Sequence, residues 1–174
     1  MKFSFEELES PDFPRVEEMA RVIWPGTYSS IISLEQMEFM LGEMYSEEKI
    51  KDEIQSGDAR YFWILSDRVR IGFTAFGPLI KNRGCEIHKL YILPQHHRIG
   101  AGQFGISQIQ TIAENVGSNH LELRVNRNNT RAISFYEARG FEIHATDCKD
   151  IGKGFVMDDF ILRKQLDDGK VFPS

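Results

Sequence analysis

The segment Leu90 to Gly102, LYILPQHHRIGAG, carries an apolar strand pattern into a proline, two histidines, an arginine and a glycine pair at the start of a helical pattern. Backbone rather than side chain is the binding group that such a junction offers. The first turn of a helix has unpaired N–H groups and the positive end of the helix dipole, and glycines let a bulky diphosphate approach them closely. The sequence therefore points to a phosphate-bearing ligand at Gly100 to Gly102. Just upstream, Glu86 and His88 are two residues apart, so a strand would turn both to one side, where they can line one cleft. Further on, Asn129, Ala132, Ile133 and Tyr136 fall at i, i+3, i+4 and i+7 on one helix face. Asn129 and Tyr136 would stand roughly 10 Å apart along it, with a small alanine between them that leaves room for a ligand.

Other chemistries fit the same residues less well. Gly100, Gly102 and Gly105 spell the G-x-G-x-x-G spacing of a dinucleotide fingerprint, and Glu122 follows about twenty residues later, as that motif asks. A dinucleotide fold, however, puts its first glycine at the strand end, whereas Pro94 to Ile99 intervene here, and too few strand and helix units follow Val125 to complete the half-domain. His88, His96 and His97 with Cys85 are zinc-ligand types, but their spacings match no tetrahedral signature, and no metal is expected. Cys148 has no neighbouring base in sequence to activate it as a nucleophile.

Periodicity supplies the elements that must position these residues. Val16, Met19, Ala20 and Ile23 recur at helical spacing after Asp12 and Pro14, and Pro25 and Gly26 are expected to end that helix. Met37, Met40, Leu41 and Met44 repeat the pattern from Ser33, and a short helix capped by Ser46 carries Ile50 and Ile54, so the first third of the chain reads as helical. The character changes at Gly57. Arg60 to Leu65 and Val69 to Phe76, separated by Ser66, Asp67 and Arg68, read as a hairpin, and Glu86 to Leu93 as a third strand stopped by Pro94. Gly105, Ile109, Ile112 and Val116 mark a helix closed by Gly117, and His120 to Val125 a strand. Asn129 to Arg139 is a helix capped by Asn129 and closed by Gly140, with Phe141 as the hydrophobic clamp behind it. Phe141 to Ala145 and Phe155 to Leu162 are the last strands. The order predicts an α/β chain, mixed α+β in detail, on a central mixed sheet of about six to seven strands with helices on both faces, in one domain over residues 1–174.

Composition narrows the class. Of 174 residues, 41% are hydrophobic and 27% charged, which argues against disorder and against a membrane bundle. A net charge of −5 is a poor basis for holding nucleic acid, and no apolar run approaches the length that spans a bilayer. The start, MKFSFEELES, lacks the basic and apolar regions of an export signal, and Cys85 and Cys148 alone cannot build a disulfide framework, so a cytoplasmic location is expected. Charge is unevenly spread. From Glu35 to Asp58, eight acids stand against Lys49 and Lys51; from Gln95 to Arg139, five arginines stand against three glutamates, with three histidines besides. An acidic half beside a basic half would suit an anionic cofactor and a cationic substrate.

From about Tyr61 to Leu166 the sequence resembles the GNAT superfamily of acyl-CoA-dependent N-acetyltransferases. In that family a strand ending in aliphatic-x-Pro is followed by Arg or Gln, two variable residues, Gly, any residue, then Gly or Ala. This chain offers His97-Arg98-Ile99-Gly100-Ala101-Gly102, with His97 where Arg or Gln is usual. An independent match is NNTRAISFYEARGF, in which Asn129, Ala132, Phe135, Tyr136, Gly140 and Phe141 reproduce a family pattern at fixed spacing. The segments MYSEEKIKDEI, EIHKLYILP and IGKGFVMDDFIL are similar to a branch of small bacterial acetyltransferases related to polyamine-acetylating members.

The resemblance implies acetyl-CoA as cosubstrate, with its pyrophosphate held mostly by backbone N–H groups over His97, Arg98, Ile99, Gly100, Ala101 and Gly102. It adds Leu90, Tyr91 and Ile92 on the preceding strand, and Asn129, Ala132 and Tyr136 on the later helix, as cofactor-binding residues. A splay between the strand Glu86 to Leu93 and the strand His120 to Val125 would leave an N–H near Leu90 to Ile92 free to polarise the thioester carbonyl. Glu86 is implied as the carboxylate base, acting directly or through water, and Tyr136 as the acid that protonates the departing thiolate. The implied acceptor is a small cationic, polyamine-like primary amine, attracted by the acidic stretch from Glu35 to Asp58 and acetylated by direct transfer in a ternary complex. Acetylation of a protein amino terminus or lysine stays open, as does a CoA-binding module without chemistry. A homodimer also stays open, while neither nucleic acid nor membrane is an expected partner.

Overall fold

Small polar caps and left-handed turns set the boundaries of most elements in the computed structural model, which describes residues 1–167. The helices are α1 (Phe13–Tyr28), α2 (Leu34–Tyr45), α3 (Glu47–Ser56), α4 (Ala101–Val116) and α5 (Thr130–Glu137). The strands are β1 (Phe3–Glu7), β2 (Arg60–Ser66), β3 (Val69–Gly77), β4 (Gly84–Ile92), β5 (His120–Asn126), β6 (Glu142–Gly152) and β7 (Phe155–Gln165). They form one seven-stranded sheet in the order β1-β2-β3-β4-β5-β7-β6. The chain divides into two compact units, Met1–Gly77 with His88–Ile106, and Pro78–Ile87 with the chain from Ser107 onward. The single domain expected over 1–174 includes residues 168–174, which lie outside the described residues.

In the first unit, the Ser33 hydroxyl accepts from the Gln36 N–H at 3.1 Å and starts α2, and the Ser46 hydroxyl accepts from the Lys49 N–H at 3.2 Å and starts α3. This unit departs from the sequence expectation in two places. Helix α1 does not stop at Pro25 but continues to Tyr28: Pro25 lacks only its own N–H, its carbonyl still accepts from Ser29 at 3.2 Å, and Trp24 packs on Tyr28 with ring centroids 4.6 Å apart. The first third is also not wholly helical, because β1 pairs antiparallel with β2, and Phe5 stacks on Phe62 at 4.5 Å. The hairpin of β2 and β3 turns in two residues rather than three, with Asp67 and Arg68 both at positive φ (47° and 71°), as a tight hairpin turn requires. One side of this unit's strands carries Trp63 and Phe73, with Tyr45 of α2 edge-on to Phe73 at 6.0 Å; the other carries Ile64 and Ile71, packed with Ala101 at the start of α4.

In the second unit, Gly84–Ile87 of β4 pair in parallel with His120–Leu123, and the ladder ends there although β4 runs on to Ile92. The pairs β5–β7 and β6–β7 are antiparallel, as are β1–β2 and β2–β3, an arrangement incompatible with a doubly wound dinucleotide fold. Strands β6 and β7 are longer than their apolar segments, because the charged residues Asp147 to Asp150 continue the ladder to a turn at Lys153 and Gly154, both at positive φ. The core of this unit includes Leu121, Leu123, Leu162, Phe141, Ile109 and Ala113. Among the described residues no helix is long and apolar enough to cross a membrane.

Candidate active site

Strand β4 ends at Ile92, and a short 3-10 turn over Pro94–His96 brings the chain to His97. The His97 ring is tied back, with Nε2 2.9 Å from the Ile92 carbonyl, so the residue that departs from the family pattern braces the turn it sits in. Arg98 and Gly100 both take left-handed backbone, at φ 64° and 93°. For Gly100 this conformation is free of strain, and a Cβ there would find space, meeting only Phe3 at 3.8 Å; backbone rather than crowding selects glycine. The Phe104 N–H then bonds the Gly100 carbonyl at 2.9 Å and α4 begins. Ile99 and Ala101 pack with Ile64 and Ile71, anchoring the turn through its apolar side chains. The first N–H groups of α4 have no carbonyl one turn earlier to bond. Gly105 has a packing role: a Cβ there would stand 3.0 Å from Ile64 Cδ1 and 3.1 Å from Leu90 Cδ1.

The same unit contains a cluster that sequence reasoning missed. Lys89 is only 3% exposed, and its Nζ donates to the Tyr61 hydroxyl at 2.6 Å, with the Glu53 carboxylate 3.4 Å away. The Tyr61 hydroxyl donates to Glu53 at 2.5 Å, and the Lys89 ammonium lies 5.2 Å over the Tyr45 ring and 5.0 Å over that of Tyr61. Burial lowers Lys89 from the ordinary lysine range and Glu53 opposes it; burial, then Glu53, raises the Tyr61 phenol, so it stays a proton donor. Nearby, the Trp24 indole donates to Tyr45 at 3.2 Å, and the hydroxyls of Tyr28 and Tyr91 are 2.9 Å apart. The available signal was a lysine that continues the alternation of Cys85 and Ile87 along the strand, where a buried side chain is expected.

Glu86, Asn129, Ala132 and Tyr136 belong to the second unit. Glu86 is held by the Arg124 guanidinium of β5, whose Nε also reaches Asp147 of β6 at 3.3 Å. Arg163 of β7 donates to Glu122 of β5 at 2.5 Å. His88, in the first unit, is exposed, and its Nε2 lies 3.1 Å from the Gly77 carbonyl. On α5, the Asn129 Oδ1 accepts from the Ala132 N–H at 3.2 Å and caps the helix. Tyr136 is half-buried and sits edge-on to Phe135 and Phe141, at 5.2 and 5.5 Å. Burial raises its hydroxyl well above the ordinary phenol range, with Arg139 opposing. It therefore remains protonated at neutral pH, and among the described residues that hydroxyl makes no hydrogen bond.

Residues 16–141 match the acetyltransferase (GNAT) family. The chain belongs to this family. It is 31% identical to the spermidine N(1)-acetyltransferase of Thermoplasma acidophilum over 162 residues, 91% of this chain and 97% of the relative. It is similar to the crystal structure of the PaiA N-acetyltransferase of Thermoplasma acidophilum in complex with coenzyme A, with a TM-score of 0.81 and 30% identity, covering 95% of this chain and 99% of that one. It shares its fold with a chimera of the Vibrio cholerae spermidine N-acetyltransferase SpeG and hSSAT, at a TM-score of 0.72 and 18% identity over 95% and 96% of the two chains.

As a GNAT protein the chain is an acyltransferase whose donor is acetyl-CoA. The braced turn from His97 to Gly102, with its backbone carried into a helix start, is suited to the pyrophosphate of that donor. Neither cysteine has the setting of an acyl-carrying nucleophile: Cys85 is buried, and burial together with Glu86 pushes its thiol up to about 12, while Cys148 is exposed on β6. Among the described residues no group of three or more His, Cys, Asp or Glu is placed to hold a metal ion. Of the acids from Glu35 to Asp58, Glu38 is paired with Arg21 at 2.8 Å, Glu53 with Lys49 at 3.7 Å, and Asp58 accepts from Ser56 at 2.7 Å. Glu35, Glu43, Glu47, Glu48 and Asp52 are exposed on the GNAT protein's α2 and α3.

Proposed function

We propose that this acetyltransferase moves the acetyl group of acetyl-CoA directly to a small cationic, polyamine-like primary amine in a ternary complex, acting as one N-acetyltransferase domain. The carrying observation is 31% identity along 91% of the chain to a spermidine N(1)-acetyltransferase. The exposed acids of α2 and α3 support it, because a field of one sign concentrates oppositely charged substrates. In this reading the turn from His97 to Gly102 holds the pyrophosphate by backbone N–H groups, and exposed Arg98 adds charge. Asn129 and Ala132 form the helix face on which the cofactor lies. Amides near Leu90, Tyr91 and Ile92 polarise the thioester carbonyl, a role supported by the early end of the β4 ladder at Ile87.

Glu86 takes a proton from the acceptor amine, directly or through water, with its carboxylate oriented by the Arg124 guanidinium. The neutral nitrogen attacks the thioester carbonyl, the C–S bond breaks, Tyr136 gives its proton to the thiolate, and the proton that the new amide nitrogen sheds passes through water to restore the tyrosine. A thiol-release screen of acetyl-CoA against polyamines, amino acids, aminoglycosides and peptides tests the reading. Polyamines should be preferred, with Michaelis constants that rise with ionic strength. Preference for peptides, or for neutral amines without salt dependence, overturns it.

A further inference from the structure

We infer that Asp159 is the carboxylate that holds a charged amino group of the acceptor, and so helps determine specificity; this rests on the reading of the chain as a transferase of cationic amines. On β7, Asp159 stands opposite Asn126 of β5 and Asp147 of β6. Directly opposed residues of antiparallel strands keep their side chains on the same side of the sheet, with Cβ atoms about 5 Å apart, so two carboxylates face each other. Their circumstances differ. Asp147 accepts from Arg124 at 3.3 Å, and that guanidinium is shared with Glu86. Asp159 is only 5% exposed, yet among the described residues its carboxylate forms neither a hydrogen bond nor an ion pair.

A carboxylate left with so little contact to water, and with no donor from the protein, forfeits most of its hydration. The groups facing Asp159 indicate which ligand would restore what is lost. From β6 comes Asp147, and from β5 come neutral Asn126 and Arg124, which is committed to two other carboxylates; Asp158, next along β7, turns to the other side and is held by Arg127 at 2.9 Å. The surplus is negative. Among the described residues no third ligand-type side chain joins the two aspartates to make a metal site. An ammonium group, with three N–H donors and a single charge, fits a lone carboxylate better. Burial, then Asp147, pushes Asp159 up to about 6 against the pull of Arg124, so it is charged at neutral pH and loses its charge below that value. Asn126, which it faces, is the last residue of β5, three residues before the Asn129 cap of the helix that carries Tyr136. In a diamine, one nitrogen would react while Asp159 holds the other.

The test is Asp159→Asn, which preserves shape and removes charge, measured with 1,4-diaminobutane and with 1-aminobutane. The acceptor KM for the diamine should rise at least tenfold toward that of the monoamine, with the loss in KM rather than in kcat. In the parent enzyme the diamine KM should climb below about pH 6, and Asp159→Asn should abolish that climb while Asp159→Glu keeps it. An unchanged diamine KM with an unchanged pH profile overturns the inference. Calorimetric titration of 1,4-diaminobutane into the CoA-bound protein reads the same contact without turnover. Binding that weakens at least tenfold in Asp159→Asn upholds the inference even if no amine is acetylated, an outcome that would overturn the proposed function alone. Equal binding by both proteins, or binding by neither, overturns the inference.

Discussion

The Lys89 ammonium of β4 lies 2.6 Å from the Tyr61 hydroxyl of β2, and that hydroxyl donates in turn to Glu53 of α3. Two strands and a helix are thus joined by one chain of donors that runs from a buried ammonium to a partly exposed carboxylate. Removing the cation would leave a phenol and a carboxylate without their partner. Because Glu53 keeps Lys49 at 3.7 Å and is partly exposed, the cost should fall near the low end for a broken buried pair, about 3 kcal/mol. Urea unfolding of Lys89→Met should show that loss, and adding Glu53→Gln should return part of it. A loss under about 1 kcal/mol would mean that the cluster contributes packing alone.

Gly102→Glu should weaken CoA binding at least tenfold by isothermal titration, because it brings negative charge and bulk to the helix start proposed for the pyrophosphate. Glutamate is a good helix former, so the melting temperature should hold, which separates a blocked site from a damaged fold. Equal affinity in the two proteins would remove the loop from the cofactor site.

Tyr136→Phe keeps the ring that meets Phe135 and Phe141 and removes only the proton. Turnover should fall by about a hundredfold with CoA affinity nearly unchanged, as for the loss of a general acid. Undiminished turnover, with chemistry shown to limit the rate, would leave Tyr136 as a core residue.

The raised pKa of Asp159 has a sign that can be read from stability. The unfolded carboxyl titrates near 3.8 and the folded one at about 6, so between those values the folded state binds more protons, and stability falls as pH rises. Above about pH 6 both states are ionised and the full penalty remains. Asp159→Asn should therefore be more stable than the parent by about 2 kcal/mol at pH 7, and the difference should shrink toward zero near pH 4. Urea denaturation at several pH values measures it, and a pH-independent difference would indicate that Asp159 is solvated.

Much of the fold was legible because its signals are local. Ser33, Ser46 and Asn129 each bond an N–H three residues on, Gly57 closes α3 from the next position and Gly140 turns the chain three residues after α5, so a short window contains the whole cause. The exceptions have non-local causes. Strand β1 exists because β2 lies beside it, and the last turn of α1 survives Pro25 through the packing of Trp24. Within the candidate site, the loop at Gly100 and the helix of Tyr136 could be found from spacing. The Arg124 that holds Glu86 lies 38 residues away and the Glu53 that faces Lys89 lies 36 away, distances at which sequence gives no pairing. Asp159 was illegible for the same reason, since its meaning comes from Asp147 and Asn126 across two ladders.

The two cysteines divide cleanly: Cys148 is open on β6, while Cys85 is enclosed. A thiol-reactive dye added to the native protein should therefore label a single position, and the second should appear only when the second unit opens. The chain thus contains its own gauge of unfolding, readable by mass, and that one fast-reacting thiol per molecule is also the background to subtract when released CoA is counted with the same reagent.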